Sequence, residues 1–382
     1  MKKSYDIVII GGGIVGCSVA FELAKRRRTD VLVIEQAYLT SGATGRCGAG
    51  IRQQWGSVIN ATLAFESTGI FENLEEYTGY KGNCGLNQGG YLILAYTEKE
   101  WGQFHKNLKV QHSVGIDSYA VEVDGINEIV PHLNTEGLYG ATFCAKDGHA
   151  DPFHCTYAYA GGAQRMGVDI ETYTTVTGFV VKNGRIQTVR TNKGDVQANI
   201  VINCTGGHAA IMAAMVGDEL PIYPERHQIL ITEPVAHIMN PMVMTFHRHF
   251  YVQQTPHGSV IMGIGDQAEP VSLNICSSWQ FLEHCSYLIT QTLPVFRNLR
   301  VVRQWAGLYD MSPDRYPIIN HAKEAEGFIT IAGLSGHGFM VAPRLANLLA
   351  NHLTEQQDSL DINLFSAERY SRGELLLEPS VV

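Results

Sequence analysis

A chain of 382 residues, 45% hydrophobic and 17% charged, is longer than one hydrophobic core ordinarily serves, so two domains are expected and a largely disordered chain is excluded. The formal net charge of −9 argues against nonspecific nucleic-acid binding, because phosphate recognition needs concentrated lysine and arginine. The eight cysteines, at 17, 47, 84, 144, 155, 204, 276 and 285, lack CxxC or CxxxC spacing, which favours reduced thiols over a disulfide framework or an iron–sulfur site.

In chain order, Tyr5 to Ile10 reads as an apolar strand, Gly11-Gly12-Gly13-Ile14-Val15-Gly16 as a glycine turn, the segment to Lys25 as a helix, and Val31 to Ile34 as a second strand ending on Glu35. Strand, glycine turn, helix, strand and acid in this order form a dinucleotide-binding unit. Gly11 permits the turn, Gly13 lets backbone approach a pyrophosphate, and Gly16 lets the helix lie against the sheet. The helix N-terminus supplies N–H donors and a positive dipole end, and Glu35 is placed to accept from a ribose diol and to repel a 2′-phosphate. The Met-Lys-Lys start leads directly into this unit, so a signal peptide is not expected. No run of about 20 apolar residues occurs, and the reading is a cytoplasmic protein, with peripheral attachment to the inner membrane face left open.

Thr40 to Gly50 is rich in glycine and small residues, as expected of backbone packed against a flat group, and Arg52 and Trp55 follow. A helix is expected over 58–79, a strand over 89–95, a helix over 98–114, turns over 131–139 and 147–152, and a helix from Asp151 or Pro152 to about Met166. Val176 to Lys182 and Ile186 to Thr191 flank Asn183-Gly184 as a hairpin. Val196 to Asn203 reads as a strand returning to the nucleotide sheet before Thr205 and Gly206. Residues 221 to about 310 alternate as a mixed or antiparallel sheet with one helix near 278–291. Gly327 to Gly333 reads as a strand, followed by a glycine loop, Leu334 to Met340, and a helix over 341–352. Asp310 and Asp314 read as turn-capping residues beside Pro313.

The fingerprint, the Arg46-Cys47-Gly48-Ala49-Gly50-Ile51-Arg52-Gln53-Gln54 core, the Asn203 to Gly206 return, the segment Gly307 to Asp314, and Ser335-Gly336-His337-Gly338-Phe339 together resemble the FAD-dependent amino-acid oxidoreductases of the D-amino-acid oxidase superfamily. The likeness is strongest to the β-subunits of heteromeric L-proline dehydrogenases and sarcosine oxidases. It implies an α/β fold: a discontinuous Rossmann-like FAD-binding domain (1–80, 148–220 and 318–382) and an α+β substrate domain on a mixed sheet (81–147 and 221–317). It further implies that Gly11, Gly13, Ile14, Val15, Gly16, Glu35, Gln36, Ser41, Thr44, Arg46, Cys47, Gly48, Val176, Thr205, Gly206, Gly307, Gly336, His337, Gly338, Phe339 and Met340 bind FAD.

The implied reaction is hydride transfer from the carbon beside an amine to flavin N5, with the amine unprotonated. Arg52 would hold a substrate carboxylate, and Tyr251 and His249 would face the substrate. Some relatives attach FAD through a cysteine where Gly307 stands, so noncovalent FAD is expected; FMN, where present, would be noncovalent at a subunit interface. Met340 stands where monomeric relatives use an oxygen-activating lysine, which favours a dehydrogenase passing electrons to a partner subunit in a heteromeric complex. L-proline, sarcosine, glycine, D-amino acids and opines compete as substrates, and a noncatalytic FAD-binding subunit is a further alternative. No metal is expected.

Overall fold

The structure is a computed structural model that describes residues 2–266 and 268–379. The opening unit is β1 (Ser4–Ile10), α1 (Ile14–Lys25) and β2 (Val31–Ile34). A two-residue strand, β3 (Gly50–Ile51), precedes α2 (Val58–Phe71) and α3 (Leu74–Thr78). The single helix expected over 58–79 is therefore two. At the break Asn73 takes φ −126 and its Nδ2 donates to Gly69 O at 3.1 Å, a local side-chain bond that competes with continued helix.

Next come β4 (Tyr91–Ala95), α4 (Glu98–Ser113), β5 (Ser118–Val121), α5 (Ile126–Ile129), β6 (Gly140–Cys144), β7 (Gly148–His149) and α6 (Pro152–Arg165). Thr97 and Glu100 close a capping box on α4, and the Asp151 carboxylate accepts the N–H groups of Phe153 and His154 at the start of α6. The chain continues through β8 (Asp169–Glu171), the hairpin β9 (Val176–Lys182) and β10 (Arg185–Thr191), β11 (Gly194–Asn203) and α7 (Ala209–Ala214). It then forms β12 (Tyr223–Pro234), β13 (Met242–Thr245), β14 (Phe250–Gln254), β15 (Ser259–Ile264), α8 (Trp279–Thr292) and β16 (Val301–Met311). Last are β17 (Ile318–His321), β18 (Phe328–Ala332), α9 (Gly338–Leu353) and α10 (Glu368–Ser371).

Two eight-stranded mixed sheets result. The first runs β17-β18-β11-β1-β2-β8, with β10 and β9 extending from β11; the second runs β16-β12-β15-β14-β13-β4-β6-β5. β1 lies parallel between β11 and β2, and its central residues are buried because helices cover the sheet. Every residue of α1 from Ile14 to Ala24 is buried, and the helix packs against α6 and α9. Among the described residues, no helix is long and apolar enough to cross a membrane.

Two expectations shift by position. Asp310 lies inside β16 rather than in a turn, since the antiparallel ladder with β12 continues through the pair Tyr223–Met311. The last long helix starts at Gly338, three residues earlier than expected, so Gly338, Phe339 and Met340 are its first turn.

Candidate functional site

The glycine turn between β1 and α1 is built by close approach. Gly11 has φ +113 and donates to Ile34 O at 2.8 Å, and a Cβ there would lie 2.4 Å from Cys204 O. A Cβ on Gly16 would lie 2.0 Å from Gly11 O. Gly13 caps α1 with no side-chain partner, and a Cβ there would meet only Thr44, whose Oγ1 accepts from Ile14 N at 3.1 Å. The helix start is thus left open on one side, where its first-turn N–H groups can meet an anion.

Glu35 is 8% exposed and accepts from Gly12 N at 2.8 Å, Ala37 N at 2.9 Å and Ser41 Oγ at 3.0 Å. Three of the carboxylate's roughly four acceptor sites therefore fix the turn itself. Gly12, which the sequence did not single out, is wedged against Leu39 and Glu35. Gln36 beside it is exposed. Thr174 N donates to Glu35 O at 2.9 Å, which brings buried Val176 alongside. On the other flank Cys204 N donates to Ile10 O, Thr205 follows, and Gly206 at φ +55 has open space where a side chain would stand.

The segment after β2 ties this turn to the second sheet. Arg46 donates from Nε to Ser41 O at 3.1 Å and from Nη1 to Ala306 O at 3.2 Å, while Trp305 Nε1 donates to Arg46 O at 2.9 Å. A Cβ at Gly307 would lie 3.1 Å from Arg46 Cβ. Burial pushes the Cys47 thiol up to about 11, so it is neutral at neutral pH and donates to Thr44 O. Gly48 O accepts from Gln253 Nε2 at 2.8 Å, and the Tyr251 ring faces Gly48.

The start of α9 is held from β16. Asp310 Oδ2 accepts from Leu334 N at 3.2 Å, Asp310 O accepts from Ser335 N at 2.9 Å, and Ser335 and Gly336 take φ +48 and +85. A Cβ on Gly336 would meet the Tyr309 ring at 2.6 Å. His337 caps α9 without a side-chain bond. Phe339 stacks on Phe71 at 5.3 Å and Met340 is buried, so their side chains belong to the core and the backbone of this turn is what can meet a ligand.

Between these walls lies an aromatic stack. His227 is parallel to Tyr309 (centroids 4.5 Å apart, 9°) and to Tyr251 (5.8 Å, 12°). Burial lowers the His227 pKa to about 4 and raises those of both tyrosines, so all three rings are neutral near pH 7. The cross-strand pair Tyr251–Gly263 leaves the Tyr251 ring room, since a Cβ on Gly263 would lie 2.5 Å from its hydroxyl. The glycine-and-ring alternation Gly307, Tyr309 was the available signal for Tyr309; neither it nor His227 was placed in the site by sequence reasoning.

Arg52 is 3% exposed. Its Nη1 donates to Gln54 O at 2.8 Å, and its guanidinium lies 3.9 Å from the Trp55 ring centroid and 5.5 Å from that of Phe246. Among the described residues it forms no ion pair. Burial lowers its pKa, opposed by Tyr91, Glu378 and Asp147, and a guanidinium keeps its proton. Tyr91 is also within electrostatic reach of Tyr309 and Tyr251, so Arg52 and Tyr251 converge on it. Trp55 in turn meets His337 edge-on at 4.5 Å. His249 occupies the reversal between β13 and β14 at φ +49, its carbonyl accepting from Gly265 N; Phe246 is the residue of that reversal that reaches Arg52. An open groove of about 520 Å³ beside β8 is lined by none of these side chains. Among the described residues, no group of three or more His, Cys, Asp or Glu is arranged to hold a metal.

Residues 6–352 match the family model described as DAO, FAD dependent oxidoreductase. The chain belongs to this family. It is similar to sarcosine oxidase subunit beta of an Arthrobacter species, 29% identical over 390 residues covering 99% of this chain and 94% of that protein. The same subunit of Rhodobacter capsulatus is 27% identical over 382 residues, 99% and 91% of the two chains. Among solved structures, L-proline dehydrogenase from P. horikoshii is 37% identical with a TM-score of 0.93, covering 98% of this chain and all of that one. Glycine oxidase from Geobacillus kaustophilus, at 23% identity, TM-score 0.87 and coverage of 96% and 99%, shares the fold.

The residues present suit FAD. The Gly13 cradle at the start of α1 suits a diphosphate, and Thr40 Oγ1, His227 Nε2 and Gln253 Oε1 are buried polar atoms without a hydrogen-bond partner among the described residues.

Proposed function

We propose that this FAD-dependent oxidoreductase dehydrogenates a secondary amino acid of the L-proline type to its imine and passes the electrons to a partner subunit. The observation that carries this reading is Arg52, a buried cation with no ion pair among the described residues, stacked on Trp55 and within electrostatic reach of Tyr91, as Tyr251 is. A buried charge is costly without a counter-ion, and a substrate carboxylate is the partner that a planar, forked donor fits best. The likeness to L-proline dehydrogenase supports the choice of amine.

In this reading the first sheet, from segments 1–80, 148–220 and 318–382, holds FAD, and the second, from 81–147 and 221–317, forms the substrate side. FAD, when bound, would supply the two-electron acceptor: the carbon beside the amine would give up a hydride, which carries both electrons, and the resulting iminium would lose a proton to give the imine. Arg52 holds the carboxylate and fixes that carbon's position. The neutral rings of His227, Tyr251 and Tyr309 exclude water and offer no counter-charge to an ammonium ion, which favours the unprotonated amine whose lone pair becomes the imine bond. Tyr251 covers the substrate from the second sheet, with His249 at its edge. Gly307 offers no nucleophile for a covalent flavin link, so FAD is held noncovalently; FMN would sit with the partner subunit. Met340, an apolar side chain, provides no cation for oxygen activation.

The test is anaerobic bleaching of the purified flavoprotein by a panel of amines, with acid release of its flavin. L-proline should bleach it fastest and release soluble FAD. Arg52→Met should lose about 100-fold in kcat/KM for L-proline, the worth of two charge-assisted hydrogen bonds, and little for pyrrolidine. Bleaching by sarcosine or glycine but not L-proline would overturn the substrate reading, and flavin left on the precipitate would overturn noncovalent attachment.

A further inference from the structure

The turn that carries Arg52 is gripped at both ends by carboxylates. At its start Asp147, fully buried between β6 and β7, accepts Gln53 N at 2.8 Å and Gln54 Nε2 at 2.9 Å. At its end Glu378 accepts Gly56 N at 2.8 Å, Ser57 Oγ at 2.7 Å and Asn60 Nδ2 at 3.0 Å. Asp147 belongs to the scaffold of the second sheet. Glu378 arrives from 322 residues away in sequence, on a stretch without regular structure.

That stretch is held by polar contacts. Leu375 and Leu377 are 53% and 80% exposed, so burial of apolar surface contributes little there. Leu376 N donates to Asp314 Oδ2, and Asp314 is paired through both oxygens with Arg369 at 2.8 and 3.0 Å. Tyr316 OH donates to Ser57 Oγ at 2.5 Å, and the same 312–316 turn meets the start of α9 through Ser312 N to Ser335 Oγ. A strap thus runs from the loop before α9 to the residues immediately after Trp55.

We propose that Glu378 is a positioning residue for recognition of the substrate carboxylate: it fixes Gly56 and Ser57, hence the Trp55 ring, hence the Arg52 guanidinium stacked on that ring. The inference rests on the reading of Arg52 given above. The mechanical path is short, because Trp55 Nε1 also donates to Arg52 O at 3.0 Å, so the ring and the arginine backbone move together. The charge acts in the same direction, since Glu378 is among the groups that favour the buried Arg52 cation.

The experiment compares FAD-loaded wild type, Glu378→Ala, Glu378→Gln, Arg52→Met and the Arg52→Met/Glu378→Ala double variant. Kinetics with L-proline and pyrrolidine are paired with calorimetric binding of tetrahydrofuran-2-carboxylate, whose ring oxygen cannot become an imine. Glu378→Ala should raise the L-proline KM and the tetrahydrofuran-2-carboxylate Kd about tenfold, with kcat within about twofold and pyrrolidine KM unchanged. Glu378→Gln, which keeps an acceptor for Gly56 N and is the safer variant for folding, should show about threefold. In the Arg52→Met background the alanine change should add nothing.

Equal KM increases for L-proline and pyrrolidine, or an undiminished effect without Arg52, would make Glu378 merely structural and overturn the proposal. A large Arg52→Met effect with silent Glu378 variants overturns this inference alone. An Arg52→Met variant that still discriminates L-proline from pyrrolidine as wild type does removes the premise, and both readings fall.

Discussion

Gly16→Ala isolates the contact on which cofactor binding depends in the proposed reading. On helix propensity alone the change should help by about 1 kcal/mol. The structure reverses the sign, because the new Cβ would lie 2.0 Å from Gly11 O and 3.3 Å from Ile9 Cγ2. Restoring an ordinary carbon–oxygen separation of about 3.3 Å requires α1 to retreat by roughly 1.3 Å. That helix is buried along Ile14 to Ala24, so the retreat disturbs its packing on β1, α6 and α9 and should cost about 1–3 kcal/mol. The helix N–H groups move with it, and a hydrogen bond of about 2.9 Å stretched by that amount is lost. Two such bonds to a charged phosphate are worth about 3 kcal/mol, or roughly 100-fold in FAD affinity. Flavin fluorescence titration of the apoprotein gives the affinity, and thermal melting of the apo form gives the packing cost. Gly102→Ala on α4 is the control, since nothing lies within 4 Å of its Cβ position and it is remote from the glycine turn. A Gly16→Ala protein that binds FAD as tightly as the Gly102→Ala protein would refute the reasoning.

Buried Asp310 has its pKa raised from 3.8 to about 6, chiefly by desolvation, so the folded state holds the proton more tightly than the unfolded one. Its contribution to stability is present below about pH 4 and lost as pH rises through 6, by up to about 3 kcal/mol, and Asp310→Asn, which keeps an acceptor for Leu334 N, should gain on wild type by that amount between pH 4 and 7. Urea unfolding of the two apoproteins at pH 4, 5.5 and 7 checks this; a constant difference would contradict it. Arg344 on α9, 6% exposed at its side chain, pairs with Glu66 and with Asp358, whose pKa it helps hold down to about 2. Arg344→Met should destabilise by about 3–5 kcal/mol by leaving Asp358 without its cation, with little from the more exposed Glu66, and adding Asp358→Leu should recover much of the loss. Chemical denaturation of the single and double variants measures it.

The first thirty-five residues were legible because their chemistry is local: an apolar strand, a glycine where a Cβ would strike Gly11 O, and a buried acid that accepts from the turn it follows. The Asn-Gly hairpin, the Asp-Pro start of α6 and the alternating strands of the second sheet were equally local signals. The long helix over 58–79 was misread because its break depends on one Asn73 side chain choosing Gly69 O, a choice that periodicity does not register. Asp310 was misread because an acid near proline looks like a turn until the strand opposite, β12, is known to continue the ladder past it.

Arg52 was visible as a candidate, yet its burial against Trp55 without a direct ion pair among the described residues is a tertiary fact, as is the stacking of His227 with Tyr251 and Tyr309 from three separate strands. The sequence by itself determined the glycine turn proposed to hold a diphosphate, since backbone conformation and missing Cβ atoms are written residue by residue. Only the folded chain decided what surrounds the proposed substrate side, because β12, β14, β16 and a strap more than three hundred residues from Gly56 come from distant parts of the chain, and distances between such segments are set by packing.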